Sequence, residues 1–500
     1  MMVRMKHIRL FIILFISLVA GLLSISADSL WMDEGKRMVH ACYGTWEMLW
    51  RGMELDMQPL FYLQEWAWGN ALSFTDFIMR GMNLPFLLIG TAYLYALLRR
   101  AGVSAWWALL LPLHPMTAYY MNDVSPYIIL QACTLGMLYH GFFAERHRWR
   151  NIMLLNAWFA LAYAYHFIAG FMGLIYGTSL LLDLLRHRKE TPWRRHIVTG
   201  LCFCMVYIPL TAFYLLHLHS GESHGWEAPG VANAGYVLYA LLGFQGLGLS
   251  RNALRAHEFA GFTPAMAAML GGYALTLAAV ALLNIKRLFA LLRQRYVLCT
   301  AVYALVFAAA AFIMKFQFWE RHFMPLLAAA VVSEAQLLHA LWQGTTRRKL
   351  NRALIILLLA GQLISAAQLR YNPYHGKDDY KGVLTELKQQ EGLVLMQGTL
   401  AVWVCYGMDW APVGQYIQSP LQVKDGTYLS LVSQTGEQVL QCTQYLLRRH
   451  RSLRVVLDAK DATTPGLYDG AADALRRQGF NVQVNDTHRS FRILTVSNGR

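Results

Sequence analysis

Long apolar runs, broken by short clusters of arginine and lysine, fill roughly the first 370 residues of this chain and leave it few possible folds. A bilayer core about 30 Å thick asks for about 20 apolar residues in a helix, which is the length of most of these runs. We place spanning helices near 8–27, 77–98, 105–121, 125–143, 151–165, 167–185, 197–218, 264–284, 296–314, 323–342 and 351–368. The basic residues lie between them: Arg4, Lys6 and Arg9; Arg99 and Arg100; Arg146, Arg148 and Arg150; Arg186, Arg188, Lys189, Arg194 and Arg195; Lys286, Arg287, Arg293 and Arg295; Arg347, Arg348 and Lys349. Clusters so placed mark cytoplasmic loops. The net charge of +15 is therefore a topology signal and does not call for nucleic acid. Charged residues make up 15% of the chain against about 25% in soluble domains, and hydrophobic residues 56%, so the class is a polytopic α-helical membrane protein.

Eleven crossings from a cytoplasmic N-terminus put the tail beyond about Arg370 outside the cytoplasm. The apolar stretch 151–185 is too long for one helix and is expected to turn near His166. The first span resembles a signal peptide, with Ser24-Ile25-Ser26-Ala27 as a cleavage site; we read it as an uncleaved anchor, and cleavage would leave the later orientation unchanged. Two outer loops are long, 28–76 and 219–263. The first carries Trp31, Trp46, Trp50, Trp66 and Trp68 among apolar and charged residues, a mixture that suits helices lying at headgroup level. It opens on two adjacent carboxylates, Asp33 and Glu34, where membrane ends and water begins. The second, with Gly221 to Gly225 and Gly243 to Gly248, reads as a flexible connection or a substrate-gating segment.

Beyond Arg370 the pattern is that of a soluble domain. Leu393–Met396, Leu453–Leu457, Phe480–Val484 and Phe491–Val496 read as strands, and Ala471–Gln478 as a helix. Alternating strands and helices predict a small α/β layer. The seven cysteines form no metal pattern, and Cys405 and Cys442 fall in the outward tail, where an oxidising compartment permits a disulfide.

Several motifs, in order along the chain, resemble those of GT-C glycosyltransferases. The nearest branch is the bacterial polyprenyl-phosphate-sugar transferases, related to protein O-mannosyltransferases and lipid A aminoarabinose transferases. Trp31-Met32-Asp33-Glu34-Gly35 is similar to the family's acidic motif after the first span, and Asp56-Met57-Gln58-Pro59 to its Pro-rich element. Arg80 resembles the basic residue opening the second helix; Leu113-His114-Pro115 and Asn122-Asp123-Val124-Ser125-Pro126-Tyr127 resemble the third-to-fourth helix turn. Tyr165-His166-Phe167 and Arg321-His322-Phe323-Met324-Pro325 resemble two further elements, and Lys377 to Gly382 the start of the outer domain. The chain departs from the family at a single Pro59 where two prolines are common, at Ser125 where an arginine is common, and at Tyr-His-Phe in place of Thr-His-Tyr. These departures bear on sugar or acceptor specificity more than on fold.

The resemblance implies a catalytic membrane domain over 1–369 and an extracytoplasmic α/β domain over 370–500, in a bacterial cytoplasmic membrane with the site facing the periplasm or exterior. It also implies transfer of a sugar from a polyprenyl phosphate to a glycolipid, glycan or protein hydroxyl, with inversion. Asp33 would take the acceptor proton and Glu34 would orient a sugar or acceptor hydroxyl. Arg80, Lys315 and Arg321 would meet the leaving phosphate, since neutralising developing charge is usually the largest catalytic contribution. Snorkelling to the interface is the competing reading for Lys315 and Arg321. Asp123, Tyr127, His166 and His322 are expected contacts of sugar or lipid; Asp56 binds sugar hydroxyls or caps the helix that follows. Some relatives bridge acid and phosphate with a divalent metal, and nothing in this sequence requires one. Two other classes remain, a lipid-linked sugar transporter and a non-catalytic scaffold. The ionisable residues gather at one face, away from the midplane sites and repeats of transporters.

Overall fold

The protein was analysed as a computed structural model. It describes residues 2–42, 45–145, 147–186, 189, 191–217, 230–251, 262–316, 318–389, 393–397, 423–424, 428–431, 436–448, 450–458, 467–488 and 491–498. The chain forms two compact units. The first takes in Met1–Ser26, Tyr43–Ser250 and the stretch ending at His375; the second holds Ala27–Cys42, Arg251 and the described residues from Gly376 onward. One boundary between the units falls after His375, and the segment bearing Asp33 and Glu34 groups with the C-terminal unit.

The first unit is helical and polytopic. Eight of its helices are long and apolar enough to cross a membrane: His7–Ser24, Asp76–Arg100, Phe167–Arg186, Trp193–His217, Pro264–Leu283, Arg295–Ile313, Glu320–Gln343 and Arg348–Tyr371. Eleven spans were expected, and the other three are shorter or broken. The run 105–121 divides into Ala105–Leu109, Leu110–Leu113 and Pro115–Met121. The cause is local: a residue before proline is pushed out of the helical region, and His114, preceding Pro115, is extended at φ −66°, ψ 129°. Tyr127–Leu138 widens into a π-turn at Tyr139–Phe143, and Trp149–Tyr165 is 17 residues long. The expected turn falls at His166, whose extended backbone separates Trp149–Tyr165 from Phe167–Met172 and Gly173–Arg186.

The first long outer loop is built of short helices, Met32–Cys42, Trp46–Asp56 and Pro59–Ala71, with Trp46, Trp50 and Trp66 exposed. The second is less open than its glycines suggest. It carries the helix Val231–Leu241, and Gln245 and Leu247 beyond it are buried. Gly243 adopts a positive φ of 82°, and the Gly246 amide donates to Ser365 Oγ at 3.0 Å. A Cβ on Gly246 would lie 2.0 Å from the Ser365 carbonyl oxygen, so this glycine exists for close backbone approach. A docked turn replaces the flexible gate at 243–248; residues 218–229 and 252–261 lie outside the described residues. Gly246→Ala is expected to cost about 1–3 kcal/mol, because a backbone atom cannot rotate aside. A lowered melting temperature of the detergent-solubilised chain checks this.

The second unit contains a six-stranded sheet: β1 (Leu393–Gln397), β2 (Val423–Lys424), β3 (Tyr428–Leu431), β4 (Ser452–Asp458), β5 (Phe480–Asn485) and β6 (Phe491–Asn498), in the order β2-β3-β1-β4-β6-β5. β1 runs parallel to β3 and β4, while β6 is antiparallel to β4 and β5. Helices Gly436–Leu447 and Leu467–Arg477 supply Leu446, Leu447, Ala471, Ala472 and Leu475 to a core shared with Leu395, Leu453, Val455, Leu457, Val482, Leu494 and Val496. This is the expected α/β layer. The proposed partner cysteines fall outside what is described, Cys405 wholly and Cys442 in its side chain.

Candidate functional site

In the second unit the acidic pair sits in the first turn of the helix Met32–Cys42, where carboxylates complement the positive end of the helix dipole. Trp31 is the residue before the helix and Glu34 its third position, the spacing of a capping box. The Trp31 amide donates to Glu34 Oε2 at 2.9 Å. The same oxygen accepts from Lys377 Nζ at 2.6 Å, with Glu34 fully buried and the Lys377 side chain 9% exposed. Asp33, beside it, is half-buried.

The Lys377 segment is itself tied down. Lys381 donates from its amide to Ser29 Oγ at 3.0 Å and from Nζ to the Ala27 carbonyl at 2.6 Å. Asp379 caps the helix Tyr380–Lys388 by accepting from the Gly382 amide. Its other oxygen lies 3.0 Å from His488 Nδ1, and His488 Nε2 lies 2.8 Å from Glu386 Oε2. Burial pulls the His488 imidazole down, but the hydrogen bonds and charges of Asp379 and Glu386 outweigh it and hold the pKa above its ordinary value. The sign follows directly. A histidine whose folded pKa is raised contributes stability that is full below about pH 6.5, its unfolded value, and is lost as pH climbs through the folded one. The melting temperature of the full chain should therefore fall over that rise in pH more steeply than that of His488→Gln, and equal slopes would contradict the assignment.

In the first unit a second group gathers where the helix Tyr127–Leu138 begins and Trp149–Tyr165 ends. Arg80 is fully buried and donates from Nη1 to the Ser26 carbonyl at 2.9 Å and to Ser26 Oγ at 3.3 Å. Asn122 Oδ1 in turn accepts from the Ser26 amide and hydroxyl, at 2.8 and 3.0 Å. Asp123 is buried, and its carbonyl accepts from Asn83 Nδ2 at 2.7 Å. Tyr127 is the hub: its ring lies 6.0 Å from His166 and 6.3 Å from His322, and the Arg321 guanidinium stands 5.7 Å over it. Both histidines also close local turns. His166 Nδ1 accepts from the Ile168 amide and His322 Nδ1 from the Trp319 amide, each at 3.2 Å.

Two candidates stand apart from this hub. Asp56 ends the helix Trp46–Asp56 and accepts from the Tyr62 hydroxyl at 2.6 Å; the next helix, Pro59–Ala71, has no side-chain cap, so Asp56 does not cap it. Lys315 is exposed just beyond the helix Arg295–Ile313, with a left-handed φ of 55°. Among the described residues, no three histidine, cysteine or carboxylate side chains group as a metal site.

No protein-family model matches the sequence, and no curated protein matches it closely. Solved structures do. ArnT from Cupriavidus metallidurans, crystallised with undecaprenyl phosphate, is similar over 97% of this chain and 97% of its own, with TM-score 0.54 and 12% identity. The chain has the GT-C fold. Further likenesses within the GT-C fold are the Archaeoglobus fulgidus oligosaccharyltransferase tethered to an acceptor peptide (TM-score 0.46, 11% identity, 79% of this chain and 62% of that one) and the arabinofuranosyltransferase AftD from Mycobacteria (0.47, 14%, 98% and 40%).

Within this GT-C chain, three residues of the two groups escape a reading of the sequence. Tyr120 donates to Glu320 Oε1 at 2.5 Å, with both residues fully buried, and its ring lies 5.3 Å from Tyr127. Lys377 is the third. The only signal for Glu320 is its place directly before Arg321-His322, and for Lys377 its place at the start of the outer-domain motif.

Proposed function

We propose that the protein is a membrane glycosyltransferase that moves a sugar from a polyprenyl phosphate to an acceptor hydroxyl at the outer face of the cytoplasmic membrane. The observation that carries the reading is an end-to-end GT-C fold, shared with an ArnT bound to undecaprenyl phosphate, in a chain that keeps Asp33-Glu34 after its first span. Asp33 removes the acceptor proton as the oxygen attacks the anomeric carbon, and the polyprenyl phosphate leaves from the opposite side, so the configuration inverts. The partial exposure of Asp33 suits a group that must reach an acceptor, and the burial of Glu34 suits one that holds its neighbour in place.

The leaving phosphate needs positive charge. Arg321, held over the Tyr127 ring, is assigned that task, with Lys315 at the exposed helix end as a second cation. Arg80 acts one step back, donating to Ser26, which in turn binds Asn122. Tyr127, His166 and His322 form an aromatic wall against sugar or lipid, and the buried Asp123 is a further contact. Asp56, half-buried and bonded to the Tyr62 hydroxyl, remains a proposed contact for sugar hydroxyls.

Mass spectrometry of cell-envelope glycolipids and glycoproteins, with and without the protein, tests the reading. The expected result is loss of a hexose, pentose or amino-sugar mass from one component, which identifies donor sugar and acceptor together. Identical spectra overturn it.

A further inference from the structure

The acidic pair is held from a point 343 residues away in the sequence. Segment 27–34 meets the stretch 377–381 at three places: Glu34 on Lys377 Nζ, Ser29 Oγ on the Lys381 amide, and the Ala27 carbonyl on Lys381 Nζ. That stretch is stiffened from its other side. Asp379 is shared between the Gly382 amide and His488, and the Tyr380 ring packs edge-on against Phe491 of β6 at 4.7 Å. Arg251 adds a guanidinium 5.0 Å over the Trp31 ring, at the residue whose amide Glu34 caps.

We propose that residues 377–381 are a positioning strap for the acidic pair, with Lys377 as its decisive residue. The inference rests on the reading of Asp33 as the base. Successive helical residues turn by about 100°, so the point at which the helix Met32–Cys42 begins decides where Asp33 is aimed. Glu34 sets that point by capping Trp31, and Lys377 keeps Glu34 on the cap. Without the ammonium, a fully buried carboxylate loses the charge that lies 2.6 Å from it and shifts, taking the cap with it. The C-terminal unit is then part of the catalytic machinery, and Lys377 is a positioning residue that acts through Glu34.

The test uses the full-length chain in detergent and in cells. In Lys377→Met, hydrogen exchange at the amides of 31–35 is expected to quicken, and undecaprenyl phosphate to bind within about threefold of wild type. Product of the mass identified above is expected to fall about a hundredfold per folded protein, the scale of a misplaced catalytic group. Lys377→Arg should restore both exchange protection and product, because it keeps the charge. Lys381→Ala, which leaves the buried pair intact, should quicken exchange at 28–31 only. Unchanged exchange at 31–35 in Lys377→Met overturns the strap. Loss of undecaprenyl phosphate binding would make Lys377 a ligand instead and also overturns it, as does full product formation. If the wild type makes no product either, the transferase reading fails, while the exchange result still decides the strap.

Discussion

Asp33→Asn is expected to lower product formation by about a hundred- to ten-thousandfold while leaving binding of the proposed polyprenyl-phosphate donor in place. General-base catalysis is worth that range, and the amide keeps the shape of the carboxylate but cannot take a proton at neutral pH. Asp33 is half-buried in the first turn of its helix and is not the residue that caps it, so the substitution should leave the turn standing. Glu34→Gln behaves differently, because Glu34 carries the cap and the Lys377 pair. It should lower the melting temperature as well as turnover. The contrast between neighbours separates a proton acceptor from a positioning group. A scaffold would tolerate Asp33→Asn with its function intact.

Arg80→Leu should be the most damaging single substitution for the first unit, costing about 3 kcal/mol or more. Arg80 is among the largest fully buried side chains, and a hydrogen bond to a charged group is worth roughly 1.5–3 kcal/mol. Arg80 donates to the carbonyl and hydroxyl of Ser26, which also binds Asn122, so the substitution strips a buried carbonyl and loosens the end of the first span together. Arg80→Lys should recover only part of the loss, since an ammonium cannot reproduce the planar fork. Thermal unfolding of the three proteins in one detergent measures the order, and a leucine variant as stable as wild type would contradict it.

Much of this architecture is legible in the chain because its causes are local. The strands Phe480–Asn485 and Phe491–Asn498 follow from apolar runs with a turn between them, and the break at His166 follows from a run too long for one helix. The division of 105–121 was also written locally, in Pro112 and Pro115, but hydropathy averages over such residues. The docking of Gly246 on Ser365 was not, because a run of glycines looks the same whether it is loose or pressed against another backbone. The same distinction governs the site. Asp33 and Glu34 stand out by position, whereas their unequal roles depend on Lys377, and the hub at Tyr127 depends on Glu320 meeting Tyr120 across 200 residues. Such pairings are made by the fold and leave no spacing to read.

The central claim is chemical: a sugar–phosphate bond breaks. Proteoliposomes holding the full chain, loaded with the polyprenyl-phosphate sugar and acceptor identified by the envelope comparison, allow it to be measured as free polyprenyl phosphate released. The account predicts one polyprenyl phosphate for each sugar gained by the acceptor, with release about a hundredfold or more slower in Asp33→Asn. Movement of the intact lipid-linked sugar across the bilayer, with no polyprenyl phosphate released, would contradict it and make the protein a transporter.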